Sequence, residues 1–200
     1  MGSVIVPISA SINPSPQTYS TDLSKSLDIK WWNWLFSIPP SKNPILDDNP
    51  CNVKQSEAFF YLVGTLGGSA ERDCTIPKGK SIFFPIINVF QTLDRADDDF
   101  DTIEEVRKTV TDNIDQAHDL NLSVGGININ TDNLRAQSKL FPLHIGADNI
   151  LGARLGTYYT ITDGYWLALK PLSVGEHEIS FSGEGADGFS LEVVYHITVK

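Results

Sequence analysis

The stretch Leu191-Glu-Val-Val-Tyr-His-Ile-Thr-Val199 decides the fold class, because its side chains alternate without a break. Leu191, Val193, Tyr195, Ile197 and Val199 fall on one side of an extended chain, and Glu192, Val194, His196 and Thr198 on the other. A strand with one apolar and one wetter face belongs to an antiparallel sheet packed on one side only. Working back from it, short runs of the same kind recur: Leu122–Val124, Ile127–Ile129, Tyr158–Ile161, Tyr165–Leu169 and His177–Phe181. Asp163-Gly164 and Asp187-Gly188 have the composition of tight hairpin turns, and Ser173–Gly175 can serve as another. The C-terminal third therefore reads as a sheet.

The N-terminal half adds helices and a denser strand. Leu23, Leu27, Trp31, Trp34 and Ile38 recur at helical spacing, with Thr21 or Asp22 as N-cap and Pro39-Pro40 as the stop. Ile29, Trp32 and Phe36 give that helix a second apolar face, so it should lie between layers, or between a sheet and covering loops. Trp31-Trp32-Asn33-Trp34 fits a buried core better than a stacking platform for sugars. Ser81–Phe90 is a nearly continuous apolar strand in which Pro85, lacking an N–H, marks a bulge or an edge. Asp101-Thr-Ile-Glu104 fits a capping box, and Ile103, Val106, Val110, Ile114 and Ala117 form the stripe of a second helix ending near Asp119. The expected fold is an antiparallel β-sandwich or jelly-roll-like domain with two packed helices. It occupies residues 21–200 as a single domain behind an extended, Ser- and Pro-rich segment over residues 1–20.

Cys51 and Cys74 are the only cysteines, and they bracket the strand-like run Ala58–Val63 and the glycine turn Gly64–Gly68. One disulfide closing one hairpin is the reading that spacing favours. It places the chain in an oxidising compartment, extracellular or otherwise exported. Two unpaired cysteines acting as small buried hydrophobes are the alternative. The first residues lack a basic region and a long apolar region, so no signal peptide is visible; if the protein is exported, this is its mature part. No apolar run approaches the ~20 residues needed to cross a bilayer, which predicts a soluble chain. Fifteen basic against 25 acidic residues give a net charge of −10, with the basic ones scattered. Nucleic acid and anionic membranes, which need clustered Lys and Arg, are thereby disfavoured as partners.

An ordered set of phrases resembles a family of uncharacterised, predicted-secreted microbial proteins of similar length. They run from Trp31-Trp-Asn-Trp34, Ile38-Pro39 and Asn43-Pro44 through Cys51 with Gln55 to Leu62-Val-Gly-Thr-Leu-Gly-Gly68. Then come Arg72-Asp-Cys74-Thr-Ile-Pro77-Lys-Gly79-Lys, Phe83-Phe-Pro-Ile86, Asp163-Gly-Tyr-Trp166, Lys170-Pro-Leu172 and Gly175-Glu-His177-Glu-Ile179. The resemblance spans residues 18 to 200 and implies export, a paired Cys51 and Cys74, and a β-rich domain. It brings no activity with it. Where members carry a Gly-Pro-Val-Trp type strand after the glutamine, this chain has Ser56-Glu-Ala-Phe59, so a ligand role for that strand does not carry over.

Catalytic signatures are sparse. There is no Gly-x-Ser-x-Gly elbow, and Ser69 after Gly67-Gly68 sits where a turn needs glycine anyway. His118 suits the C-terminus of the second helix. No His-Glu-x-x-His, Cys-x-x-Cys or close histidine pair occurs, so neither metal nor cofactor is expected. Asp94–Asp101 offers hard oxygen ligands but fails the EF-hand spacing, with Thr102 at position six and Lys108 at position twelve. His177 shares its strand face with Ile179 and Phe181, which predicts a buried, neutral, hydrogen-bonded imidazole. The leading expectation is a secreted or surface-associated, non-enzymatic binding domain. Arg72, Tyr165 and His177 are its candidate ligand-binding residues, and a carbohydrate or small molecule is the partner. The alternative is a small extracellular hydrolase or lyase using Gln55, Arg72, Asn88, Arg135, Tyr165 and His177.

Overall fold

The computed structural model describes residues 15–46, 49–93 and 102–200. In chain order its elements are α1 (Thr21–Phe36), β1 (Phe59–Tyr61), β2 (Gly68–Ile76), β3 (Ser81–Thr92), α2 (Ile103–Ile114), β4 (His118–Val124) and β5 (Ile127–Asn128). They continue with β6 (Arg135–Gln137), β7 (Phe141–Ile145), β8 (Gly156–Leu169), β9 (Gly175–Glu184) and β10 (Ser190–Val199). Two five-stranded sheets result. One has the order β1-β3-β8-β6, with β7 also paired to β8, and the other has the order β2-β10-β9-β4-β5. They are called sheet A and sheet B below. The expected β-sandwich with two packed helices is what the chain forms. Its sheets are mixed, because β1 runs parallel to β3 and β2 runs parallel to β10.

Strand alternation explains the layering. From sheet A, Phe60, Ile82, Phe84, Leu167 and Leu169 point inward to meet Ile179, Phe181, Val193, Tyr195 and Ile197 of sheet B. The alternate residues Tyr61, Phe83, Trp166 and Ala168 point outward and are covered by Leu27, Trp31, Trp34 and Leu35 of α1. Loop residues Ile45, Val53, Ile150 and Ala153 pack into the same outer cluster. The helix with two apolar faces therefore lies between a sheet and covering loops. Trp31 and Trp34 are buried, as a core role demands, and Trp31 meets Trp166 edge-on at 5.6 Å. Val106 and Val110 of α2 pack on Ile161, which shares with Tyr165 the face of β8 that meets sheet B.

Several boundaries differ from the sequence reading. The N-cap of α1 is Ser20, with no side-chain bond, in place of Thr21 or Asp22. The capping box of α2 is Thr102 with Glu105, one residue on from the expected pair, and Asp101 lies outside the described residues. That helix stops at Ile114, because His118 already belongs to β4. Asp163-Gly164 is no turn. It lies inside the 14-residue β8, where a Cβ on Gly164 would sit 2.7 Å from both Asn88 Cβ and the Ile87 carbonyl oxygen. Glycine is there for close strand approach. Asp187-Gly188 does turn the chain between β9 and β10, whereas Ser173–Gly175 leads from sheet A to sheet B.

Cys51 and Cys74 are bonded, with Cα atoms 5.9 Å apart. The bond does not close a hairpin, since β1 and β2 belong to different sheets. The Gly64–Gly68 link carries the chain across the sandwich, with Gly67 and Gly68 at φ of 119° and 79°. The disulfide thus ties the loop entering sheet A to a strand of sheet B. Pro85 marks a bulge, as the register between β3 and β8 shifts between Pro85 and Ile87. Residues 17–19 of the N-terminal segment run along β8, with Lys170 N–H donating to the Gln17 carbonyl and Tyr19 N–H to the Ala168 carbonyl, both at 2.8 Å.

Candidate functional site

Where the C-terminal half of α1, the bulge of β3 and the chain after β1 converge, they leave a cleft of about 190 Å³. Trp31, Trp32 and Phe36 come from α1, and Pro85, Asn88 and Phe90 from β3. Leu66 and Leu151, 64% and 51% exposed, stand at its mouth. The rings hold one another in place: Trp32 stacks on Phe36 at 5.7 Å, and Phe90 meets Trp32 and Phe36 edge-on at 4.6 and 5.5 Å. The indole N–H groups are spent inside the protein. Trp31 donates to the Leu62 carbonyl and Trp32 to Thr162 Oγ1, both at 2.8 Å. Thr65 is occupied too, accepting from Gly67 N–H at 3.1 Å. Asn88 differs from its neighbours, because its buried Nδ2 has no hydrogen-bond partner among the described residues.

The sequence candidates are distributed elsewhere. Arg72 is buried inside the sandwich, where Nη1 donates to the Val63 carbonyl and meets the Tyr195 hydroxyl, each at 3.4 Å. The Tyr195 hydroxyl donates to the Val63 carbonyl at 3.0 Å, so this group clamps β2 and β10 to the chain leaving β1. Tyr165 is half-buried against the inter-sheet core. His177 does face inward, but at the open end of β9, so it is half-buried beside a separate cavity of about 270 Å³. Its Nε2–H donates to the Ser173 carbonyl at 2.8 Å. These three residues occupy three different environments. Gln55 fixes the loop to β1, donating to the Cys51 and Tyr61 carbonyls at 2.7 and 3.0 Å and accepting from Tyr61 N–H at 2.6 Å.

Arg135 belongs to a charge cluster under α2. Its Nη2 and Nε approach the carboxylate of the buried Asp163 at 2.9 and 3.3 Å, and its Nη1 reaches Asp115 at 2.6 Å. Gln137 and Gly164 N–H complete the shell of Asp163 at 3.1 and 2.8 Å. Both carboxylate oxygens are met twice, so the cluster is a satisfied ion pair. Asp28 of α1 is the opposite case. It is fully buried, accepts only Ile29 N–H at 2.6 Å, and leaves Oδ2 without a partner among the described residues. Burial first, and the nearby Asp163 charge less strongly, push its pKa up to about 7 against the pull of the Ile29 hydrogen bond.

Two features are hidden from the sequence. The cleft is legible only in part, since Asn88 is a candidate there but the lining comes from six separate stretches. His118, Asp119 and Glu184 bring one ligand atom each within 4.8 Å of one another across the β4–β9 pair. All three are exposed to water, and they form an ion-pair cluster when His118 is protonated, with Nε2 at 3.4 Å from Glu184. The acidic run Asp94–Asp101 lies outside the described residues. No described helix is long and apolar enough to cross a membrane.

No protein-family model matches the chain, and no curated protein does. Among solved structures, the solution structure of Amebosin aligns at 10% identity and a TM-score of 0.23, covering 72% of this chain and all of that one.

Proposed function

We propose that the chain is a secreted or surface-associated, non-enzymatic binding domain that takes a small, predominantly apolar molecule into the aromatic cleft. The observation that carries this is the cleft itself: about 190 Å³ of space walled by Trp31, Trp32, Phe36 and Phe90, with their indole N–H groups already used and two exposed leucines at the entrance. A concave apolar site with few polar groups is the default form of a small-molecule pocket. A dry cavity of ~150 Å³ is enough to hold benzene. The apolar walls argue for such a molecule over a carbohydrate, whose hydroxyls would need partners. The disulfide across the two sheets supports export.

The test is a titration with toluene followed by amide chemical shifts. Saturable shifts are expected at Leu66, Asn88 and Leu151, and Leu66→Arg, at the exposed mouth, should abolish them while leaving the fold intact. Shifts that do not saturate, or that cluster elsewhere, would overturn the assignment.

A further inference from the structure

We propose that His118, Asp119 and Glu184 form a surface site for one divalent transition-metal ion of the zinc class, at the start of β4 in sheet B and apart from the aromatic cleft. Each offers one ligand atom, and the three atoms lie within 4.8 Å of one another. Two carboxylates and a neutral imidazole balance the charge of a dication. The imidazole is set for the role by a bond outside the triad. A carbonyl can only accept, so the 3.0 Å contact between His118 Nδ1 and the Gln116 carbonyl puts the proton of the neutral ring on Nδ1. Its Nε2 lone pair then faces Glu184 Oε2 at 3.4 Å and Asp119 Oδ2 at 3.9 Å. Three electron-pair donors brought together in this way repel one another unless a proton or a metal ion sits among them. A histidine that gives its second N–H to a backbone carbonyl is the usual arrangement at a metal, because that bond fixes the tautomer and raises the basicity of the free nitrogen.

The backbone assembles the triad. His118 and Glu184 are paired in register across β4 and β9, so their side chains leave the same face. Asp119, next in sequence, would leave the opposite face of a regular strand. The register shifts between His118 and Asn121, and Asp119 takes a φ of 51°, which re-aims its carboxylate toward the His118 ring. No lysine or arginine among the described residues pairs with either carboxylate. A cavity of about 490 Å³ borders the site through Asp119 and Glu184, which leaves room for the water that completes the shell of an ion with three protein ligands. The distances suit a tetrahedral ion. Ligand atoms held at about 2.0–2.1 Å from such an ion are about 3.4 Å apart, which matches the Nε2–Oε2 separation, and rotation of the exposed side chains closes the other two edges. An imidazole ligand favours zinc and its first-row neighbours over calcium and magnesium, which take oxygen.

Zinc chloride is titrated into the full chain in a non-coordinating buffer at neutral pH, and the four imidazoles and the backbone amides are followed by NMR. Saturable movement of the His118 ring and of the Asp119 and Glu184 amides is expected, with one equivalent bound. His118→Gln and Glu184→Gln should each weaken zinc binding at least about tenfold, since even an outer partner of a metal ligand is worth that much. His196→Gln, which removes a histidine beside Glu71 on the same sheet, should leave the affinity unchanged. Calcium chloride should leave the His118 ring unmoved. The ring of the unmodified protein is read directly, so this measurement stands even if a variant does not fold. Zinc that moves the His144, His177 or His196 ring in place of His118, or shifts that never saturate, would overturn the site. So would an affinity unchanged in a folded His118→Gln, or calcium moving the His118 ring as zinc does, because the carboxylates alone would then be attracting any dication.

Discussion

Sheet A and sheet B have five strands each, yet one is covered on both faces and the other on one. Sheet A has sheet B on its inner side and α1 with its loops on the outer, so β3 is buried from Ser81 to Ile87 and β8 is almost continuously buried from Thr160 to Leu169. Sheet B turns Glu71, Asp73, Glu178, His196 and Thr198 outward, and β10 alternates buried and exposed residues along its length. Asn88, Asp28 and Trp166 each bury a polar atom without a partner among the described residues, and all three lie in or against sheet A. The cost of such groups is high only where water is excluded, so the doubly covered sheet is where unpaired polar atoms are most destabilising.

The largest difference between the two outer faces is expected at Trp31. Replacing it with Ala removes a side chain that is 1% exposed, contacts three other tryptophans and donates to Leu62. Urea unfolding should show a loss of about 3–5 kcal/mol. Thr198→Ala on the open face of sheet B should change stability by no more than about 0.5 kcal/mol. Comparable losses at the two sites would mean that the two outer faces are equally important to the core.

The same contrast explains what the sequence can and cannot convey. β10 announces itself because one face must be polar and the other apolar. β8 reads as two strands joined by an Asp163-Gly164 turn, since both residues are common in turns and the signal of a doubly buried strand is merely a run of apolar residues. What overrides the turn signal is tertiary: Asp163 is clamped by Arg135 and Gln137, and Gly164 yields to the backbone of β3. The disulfide is legible as a pair but not as a link between sheets, because a strand beside a glycine turn looks like half of a hairpin. Alternation places His177 on the correct face, yet its burial depends on how far it lies from the strand end, which alternation does not report.

Asp28 makes the stability of the covered face depend on pH. Its carboxyl titrates at about 7 when folded, against an ordinary value of 3.8. Between those values the folded chain keeps a proton that the unfolded chain has released, so this group lowers stability as pH rises from about 4 to 7, and the effect is constant above that. The difference corresponds to up to about 4 kcal/mol, at about 1.36 kcal/mol for each pH unit between the two values. Asp28→Asn cannot ionise and should gain on the native protein across that window in urea denaturation at about pH 4.5, 6 and 8. A gap independent of pH would show that Asp28 is solvated.

The disulfide tests the seam between the sheets. Cys51 and Cys74 are 23 positions apart. Closing a loop of that size is worth about 3.5 kcal/mol in the chain-entropy model. Cys51→Ser with Cys74→Ser should lose about that much, and a reductant should destabilise the native protein but not the double variant. A reductant without effect on the native protein would indicate free thiols in the prepared material.

The smallest effect is expected on the open face, at His196. Its Nε2 lies 2.6 Å from Glu71, and its neighbours in register are Asp73 on β2 and Glu178 on β9. The hydrogen bond to Glu71 leads in raising its pKa, and the Glu71, Asp73 and Glu178 charges add to it. A histidine whose folded pKa exceeds its unfolded value contributes fully below the unfolded pKa, near about 6.5, and loses that contribution as pH rises through the folded one. His196→Gln should therefore be slightly less stable than the native chain at about pH 5.5 and indistinguishable from it well above the folded pKa. Because the group is exposed, added salt screens its partners, and an NMR titration of the imidazole should show the midpoint moving back toward the ordinary histidine value between low and about 1 M salt. A midpoint at or below that value in low salt would mean that the acids on the outer face of sheet B do not favour the charged imidazole. The two sheets would then differ in cover alone and not in how they hold charge.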